Sequence, residues 1–311
     1  MTPQLVVVGS LNMDFVVSVE RLPAPGETVL GSQFRMIPGG KGANQACAAG
    51  KLGAPGVTTK MVGRVGYDVF ADHLKASLSA AGVDVSSVHA SRTQPTGVAL
   101  ISVDRAGQNT IVVASGANHA LTPSDVQGLR PVFHGASYAL FQLESPLPAV
   151  EAALRLAREE AVKTILDPAP AQKAAVPLLG LVDLLTPNEG EACLLLDRPP
   201  SRVTAAEAPE LARALLALGA RAVVLKLGEQ GAFYCDSTAA FLSPGFPVEA
   251  VDTTAAGDTF NAGLAVALAE GREMAKALAF ANAAAALSVT RAGAQSSVPT
   301  RAEVDAFLNV A

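Results

Sequence analysis

"ASYALFQLESPLPAVEAALRLAREEAVKTILD", residues 136–167, reads as strand, helix, strand. The runs at 136–142 and 163–167 are short and apolar, and a helical stretch at 148–160 separates them. Two further runs, "LVDLLT" (181–186) and "RAVVLKLG" (221–228), enclose another helical stretch at 204–218. With "QLVVVG" (4–9) near the start, this alternation from about residue 136 onward predicts a mainly parallel central sheet with helices on both faces, a three-layer α/β/α fold. Residues 15–40 alternate around Pro-Ala-Pro-Gly, and residues 96–118 alternate around Arg-Ala-Gly-Gln, so both read as exposed β-ribbon. Helices are expected at 41–53, 257–270, 273–290 and 301–309. Neither a repeat nor a linker interrupts the chain. The expectation is one α/β domain over 1–311, with a small β lid formed by inserted segments at about 15–38 and 96–113.

A chain of 311 residues, half of them apolar, is long enough to bury most of its surface in one core. No apolar run reaches the ~18–20 residues that span a bilayer, and the start lacks the marks of a secretory leader. Cys47, Cys193 and Cys235 are widely spaced and odd in number, which suits small core residues in a reduced cytoplasm. His73, His89, His119 and His134 share no ligand spacing. Net charge is −5 without a basic run, so nucleic acid is disfavoured as a partner. A small polyanion remains possible through local amides, a few cations or a metal.

Ligands of open α/β sheets bind beyond the carboxyl ends of the strands. Here those ends carry Asn12 and Asp14, Glu144, Asn188 and Glu191, and Lys226 and Gly228. The first strand is followed by Gly9 alone, so a dinucleotide G-x-G-x-x-G is absent. "GGKGAN" fails as a Walker loop because Gly42 follows Lys41 where Ser or Thr is required. In "PGGKGANQA" (38–46) the two glycines before the helix permit positive φ and close ligand approach. Lys41 and Asn44 project from the first turn, and with Asn12 and Asp14 they make a polar pocket suited to a sugar.

"VDTTAAGDTFNAG" (251–263) places Asp258 where small residues open a helix. Free N–H groups and the helix dipole favour an anion at such a point. A carboxylate beside them has a reason to be there if it accepts the proton of a hydroxyl that attacks a phosphoryl group. The bland alternative, an acidic residue stabilising a helix end, is worth only ~0.3–1 kcal/mol.

"GSLNMD", "GGKGANQA", "QLESP", "TPNEGEA", "DTTAAGDTFNAG" and "TRAGAQSSVP" occur in an order and spacing that resemble the ribokinase-like (phosphofructokinase-B) sugar kinases over the whole length. The resemblance implies ATP-dependent phosphorylation of the 5-hydroxyl of D-ribose, with Asp258 as base and the Ala255, Ala256 and Gly257 amides as anion hole. It implies that Asn12, Asp14, Gly40, Lys41, Gly42, Asn44 and Glu144 hold the sugar beside Asp258. ATP would lie on Asn188, Glu191, Lys226, Leu227, Gly228, Glu229, Gln230, Gly231, Gly257 and Asn282. Asn188 and Glu191 form the family's N-x-x-E pattern, which organises Mg²⁺ through water. A monovalent cation, K⁺, would sit by Asp252, Thr254, Ser288, Arg291, Gly293 and Ser297, mostly on carbonyls. A homodimer through the lid is the further expectation. Lys226 departs from relatives with threonine there, which leaves two readings: it reaches nucleotide phosphate or points away.

Two rivals stand beside this reading. A kinase of deoxyribose, a nucleoside or a ketohexose would keep the same base and anion hole. A sugar-binding sensor would have lost the base or an anion-hole glycine, and Gly257 and Asp258 are both present.

Overall fold

The computed structural model describes residues 2–310. Nine strands form the main sheet: β1 (Gln4–Val8), β4 (Thr58–Gly66), β5 (Val83–Ser91), β8 (Tyr138–Phe141), β9 (Lys163–Leu166), β10 (Leu184–Leu185), β11 (Ala222–Lys226), β12 (Gly231–Asp236) and β13 (Ala240–Pro244). Their order is β13-β12-β11-β10-β9-β8-β1-β4-β5. Every pair from β11 to β5 is parallel, and β12 and β13 add an antiparallel edge. The smaller sheet runs β3-β2-β6-β7, from β2 (Asn12–Val19), β3 (Gly31–Gly39), β6 (Gly97–Val103) and β7 (Asn109–Ala114).

Period-two geometry splits β1 between two cores. Leu5 and Val7 face one, Val6 and Val8 the other. The first core collects α1 (Lys41–Gly53), α2 (Val69–Ala80), α8 (Ala256–Ala269), α9 (Met274–Val289) and α10 (Arg301–Leu308). The second collects α3 (Pro123–Gln127), α4 (Arg130–Phe133), α5 (Leu147–Glu159), α6 (Glu189–Leu195) and α7 (Ala208–Leu216). Both faces of the sheet are thus covered, which is why its central strands are continuously apolar. Each fully buried Leu or Phe in these layers contributes about 1.5–3 kcal/mol.

The three-layer expectation is met, with two differences. Parallel β-α-β already begins at β4-α2-β5, well before residue 136. The lid strands span 12–39 and 97–114 rather than 15–38 and 96–113, so Asn12 and Asp14 belong to the root of the lid. Among the described residues no helix is long and apolar enough to cross a membrane.

Candidate active site

The carboxyl ends of the parallel strands deliver Ser10 after β1, Gln142 after β8, Asp167 after β9, Asn188 after β10 and Lys226 at the end of β11. α1 enters this edge through Gly40, whose φ is +89°. A Cβ at Gly40 would lie 2.7 Å from the Asn12 nitrogen. At Gly42 it would lie 2.6 Å from Gly9 and Ser10 backbone atoms, so Gly42 lets α1 sit directly on the end of β1. That contact places Lys41, Asn44 and Gln45 over the sheet edge.

The residues expected to hold a sugar converge there. Glu144 accepts bonds from the Ser10 hydroxyl and, at 3.2 Å, from the Lys41 N–H. Asn12 Oδ1 accepts from Asn118 Nδ2 at 2.7 Å, which fixes the Asn12 amide with its NH₂ group unspent on this partner. Burial, aided by the charge of Glu144, pushes the Asp14 carboxyl up to about 7. Burial pulls Lys41 down, but Asp258, Asp167, Glu144 and Glu191 hold it above its ordinary value.

Asp258 sits in the first turn of α8 and is 6% exposed. Its Oδ2 accepts from Asn44 Nδ2 and its Oδ1 from Gln45 Nε2, both at 3.1 Å. Gln45 Nε2 also donates to Asp167 Oδ2 at 3.1 Å, and Lys226 Nζ donates to Asp167 Oδ1 at 2.8 Å. Gln142 Nε2 orients this amide by donating to Gln45 Oε1 at 2.6 Å. Burial raises the Asp258 carboxyl to about 6, with Lys41 opposing and Asp167 reinforcing the rise. The site is a buried chain on one sheet edge in which the Asp167 and Asp258 carboxylates alternate with the donors Lys226, Gln45 and Asn44.

No side chain caps α8, and its N-cap Ala255 is left-handed with φ 58°. Ala256 does not present a free amide as expected. Its N–H turns back to the Thr253 carbonyl at 3.2 Å. Ala256 and Gly257 border a cavity of about 800 Å³. The expected segment Lys226, Leu227, Gly228, Glu229, Gln230 and Gly231 lines it, and so does Asn282. The Asn282 NH₂ group is bonded to Ser243 and to the Pro244 carbonyl, so it braces the cavity wall. Asn188 and Glu191 cap α6 reciprocally, Glu191 N–H to Asn188 Oδ1 at 2.8 Å and Asn188 N–H to Glu191 Oε2 at 2.7 Å. Of this turn it is Glu189 that borders the cavity.

Asp252 closes a separate loop. It accepts from the N–H groups of Thr254 at 2.9 Å and Gly293 at 2.8 Å. Burial works against the charge, but these bonds outweigh it and hold Asp252 below its ordinary value. Ser288 and Ser297 are fully buried, with hydroxyls bonded to the Ala285 and Ala294 carbonyls. The Arg291 guanidinium turns to Glu303, leaving only backbone for the expected site.

Sequence reasoning passed over Asp167, Gln45, Asn118 and Gln142, and over the apolar cavity wall of Phe246, Pro247 and Val248. Asp167 could have been found, because "KTILD" ends in a polar residue at the same edge as the strand ends that were nominated.

Residues 2–301 match the family described as pfkB family carbohydrate kinase. The chain is 40% identical to the ribokinase of Haemophilus influenzae, covering 99% of each chain. It is 41% identical to the ribokinase of Bacillus subtilis, over 97% of this chain and 98% of that one. The solved structure of the Arabidopsis thaliana ribokinase complexed with ribose and ATP superposes with a TM-score of 0.89 at 34% identity, covering 99% of both chains. Fold, edge geometry and these likenesses agree, and the chain belongs to the pfkB family of carbohydrate kinases.

Proposed function

We propose that the chain transfers the γ-phosphoryl group of ATP to the 5-hydroxyl of D-ribose, giving ribose 5-phosphate and ADP. The observation that carries this reading is Asp258: a buried carboxylate in the first turn of an uncapped helix, bonded to Asn44 and Gln45 on the sugar side and adjoining the cavity at Gly257. The likeness to a ribokinase holding ribose and ATP supports the choice of substrates.

In this reading Asn12, Asp14, Gly40, Lys41, Gly42, Asn44 and Glu144 hold the sugar. Asp258 takes the proton of the attacking hydroxyl. The amides of Ala255 and Gly257 at the start of α8 receive charge on the phosphoryl group, while the Ala256 N–H stays on the Thr253 carbonyl. Residues 226–231 and Asn282 bound the nucleotide. Asn188 and Glu191, on the turn that opens α6, would hold Mg²⁺ through water, and the ion would supply neutralisation of the triphosphate charge.

The donors around Asp252 fit a monovalent cation. They are oxygens, the single carboxylate matches a single positive charge, and the Arg291 charge is turned away. Asp252, Thr254 and the carbonyls of Ser288, Arg291, Gly293 and Ser297 would hold K⁺, which would fix the loop before α8. The chain would work as one domain over 1–311. Its three described cysteines are free and buried, which suits the cytoplasm. One face of the lid exposes Phe34, Met36, Leu100 and Val112, and a second lid would cover it in a homodimer.

The test is ADP release from ATP with D-ribose, 2-deoxyribose, fructose and adenosine in turn. Turnover is expected with ribose above the others. Negligible ribose turnover beside a good rate on another acceptor refutes the substrate assignment.

A further inference from the structure

We propose that Lys226 is a catalytic residue whose ammonium contacts the phosphoryl group in transit, and that Asp167, tied through Gln45 to Asp258, is the positioning residue that holds it there. This rests on the kinase reading above and names further machinery for that reaction.

Lys226 ends β11 and lines the wall of the cavity. Its side chain is only 12% exposed, and its Nζ lies 3.4 Å from where a Cβ on Gly257 would stand. The ammonium is therefore directly over the first turn of α8, at the meeting point of cavity and base. A buried ammonium needs a counter-charge, and Asp167 supplies it at 2.8 Å with its own side chain 4% exposed. That alone could be a structural pair. Two features say more. Asp167 is shared: its other oxygen takes the same Gln45 Nε2 that binds Asp258. Lys226 also feels Asp258, whose charge helps to hold the ammonium protonated against burial.

The balance of the transfer uses this link. The sugar oxygen forms a bond to the γ-phosphorus, the bond from that phosphorus to the bridging oxygen breaks, the hydroxyl proton goes to Asp258, and ADP leaves. Asp258 thus loses its negative charge as negative charge accumulates on the phosphoryl oxygens near Lys226. The field at Lys226 changes little, so neither Lys226 nor Asp167 must relocate, which is the preorganisation that lowers such barriers.

The experiment compares wild type, Lys226→Met, and the double variant Asp167→Asn/Lys226→Met, in kcat, KM for ribose and pH profile. Wild-type turnover is measured first; its absence refutes the kinase reading and leaves nothing for Lys226 to act on. With turnover present, Lys226→Met should lower kcat by about 100-fold with KM for ribose nearly unchanged. Its acid limb should move to higher pH, because Asp167 is left unpaired next to Asp258. In the double variant, which has no unpaired charge, the limb should return while kcat stays low. Recovery of the double variant to near the wild-type kcat would make the pair structural and overturn the proposal. The double variant retains that power even if Lys226→Met alone fails to fold.

Discussion

Replacing Asp258 by asparagine separates catalysis from stability, because the structure sets two opposing stability effects at that position. Folding raises this carboxyl from 3.8 to about 6. At about 1.4 kcal/mol per unit, the shift corresponds to about 3 kcal/mol of unfavourable charge burial above pH 6. The sign follows from proton uptake: the folded state binds the proton more tightly, so this group costs nothing below about pH 4, and stability falls as pH rises toward and through 6. Asparagine carries no charge and escapes that loss. In exchange its NH₂ group faces the amide donors of Asn44 or Gln45, now both within 3.1 Å of the carboxylate, and two opposed buried donors cost about 1–3 kcal/mol. The effects nearly cancel at pH 7.5, so the variant should melt within a few degrees of wild type and still bind ribose and ATP. Its kcat should fall by about 10²–10⁴-fold, the contribution of a positioned base. The assay is initial-rate ADP release from pH 5 to 9, with melting curves at each pH. Wild-type kcat/KM should drop below about pH 6, and that limb should vanish in the variant. A folded variant keeping more than about a tenth of wild-type kcat would refute the role of Asp258 as base.

Alanine at Gly40 would force a side chain onto φ +89° and push its Cβ to 2.7 Å from the Asn12 nitrogen; urea unfolding should show a loss of at least about 2 kcal/mol, and KM for the sugar should rise as Asn12 shifts. Potassium added to a Tris-buffered, sodium-depleted assay at constant ionic strength should raise kcat, and Asp252→Ala should flatten the response; a wild-type rate indifferent to potassium would remove the cation site. Wild type should scatter light as a dimer, and glutamate in place of Val112, 65% exposed in the middle of β7, should give a monomer; a monomeric wild type at micromolar concentration would dismiss the lid interface.

The parts of the fold legible in the sequence are those where one physical signal acts alone. The bounds of α1 fall at 41 and 53 as expected, because glycine pairs and Ala-Pro punctuate it. The apolar strands β8 and β9 and helix α5 between them also stand out. Residues 54–95 were silent for a physical reason. β4 reads TTKMVGRVG and β5 VDVSSVHAS, and Lys60, Gly63, Arg64, Asp84, Ser86 and Ser87 interrupt the continuous apolar run expected of strands covered on both faces. α6 was hidden because its Asn188 and Glu191 were read as ligands, although Asn-x-x-Glu also spells a capping box. In the candidate site, single residues at strand ends were visible, whereas their connections were not. Gln45 and Asp167 are 122 positions apart and meet only because α1 starts on the carboxyl end of β1, two strands from β9 in the sheet.

The glycines at the root of the lid show how one letter can carry two physical demands. Both Gly39 and Gly40 were expected to serve positive φ, but only Gly40 has it. Gly39 lies in β3 opposite Asn12, and a Cβ there would fall 2.1 Å from the Asp14 carboxylate. Gly97, opposite Asn12 on β6, would meet Asn12 Oδ1 at 2.2 Å. The two strands flanking β2 are thus bare where its polar side chains lie across them. Asn12 and Asp14 occupy those clefts, and the Asn118 amide locks Asn12 from the end of the lid. A larger residue at 39 or 97 would expel the Asp14 or Asn12 side chain, so these glycines act on the site through space alone. Asn12 and Asp14, proposed to hold the sugar, sit at the junction of the two sheets, and any change in how the lid joins the main sheet must move them with it.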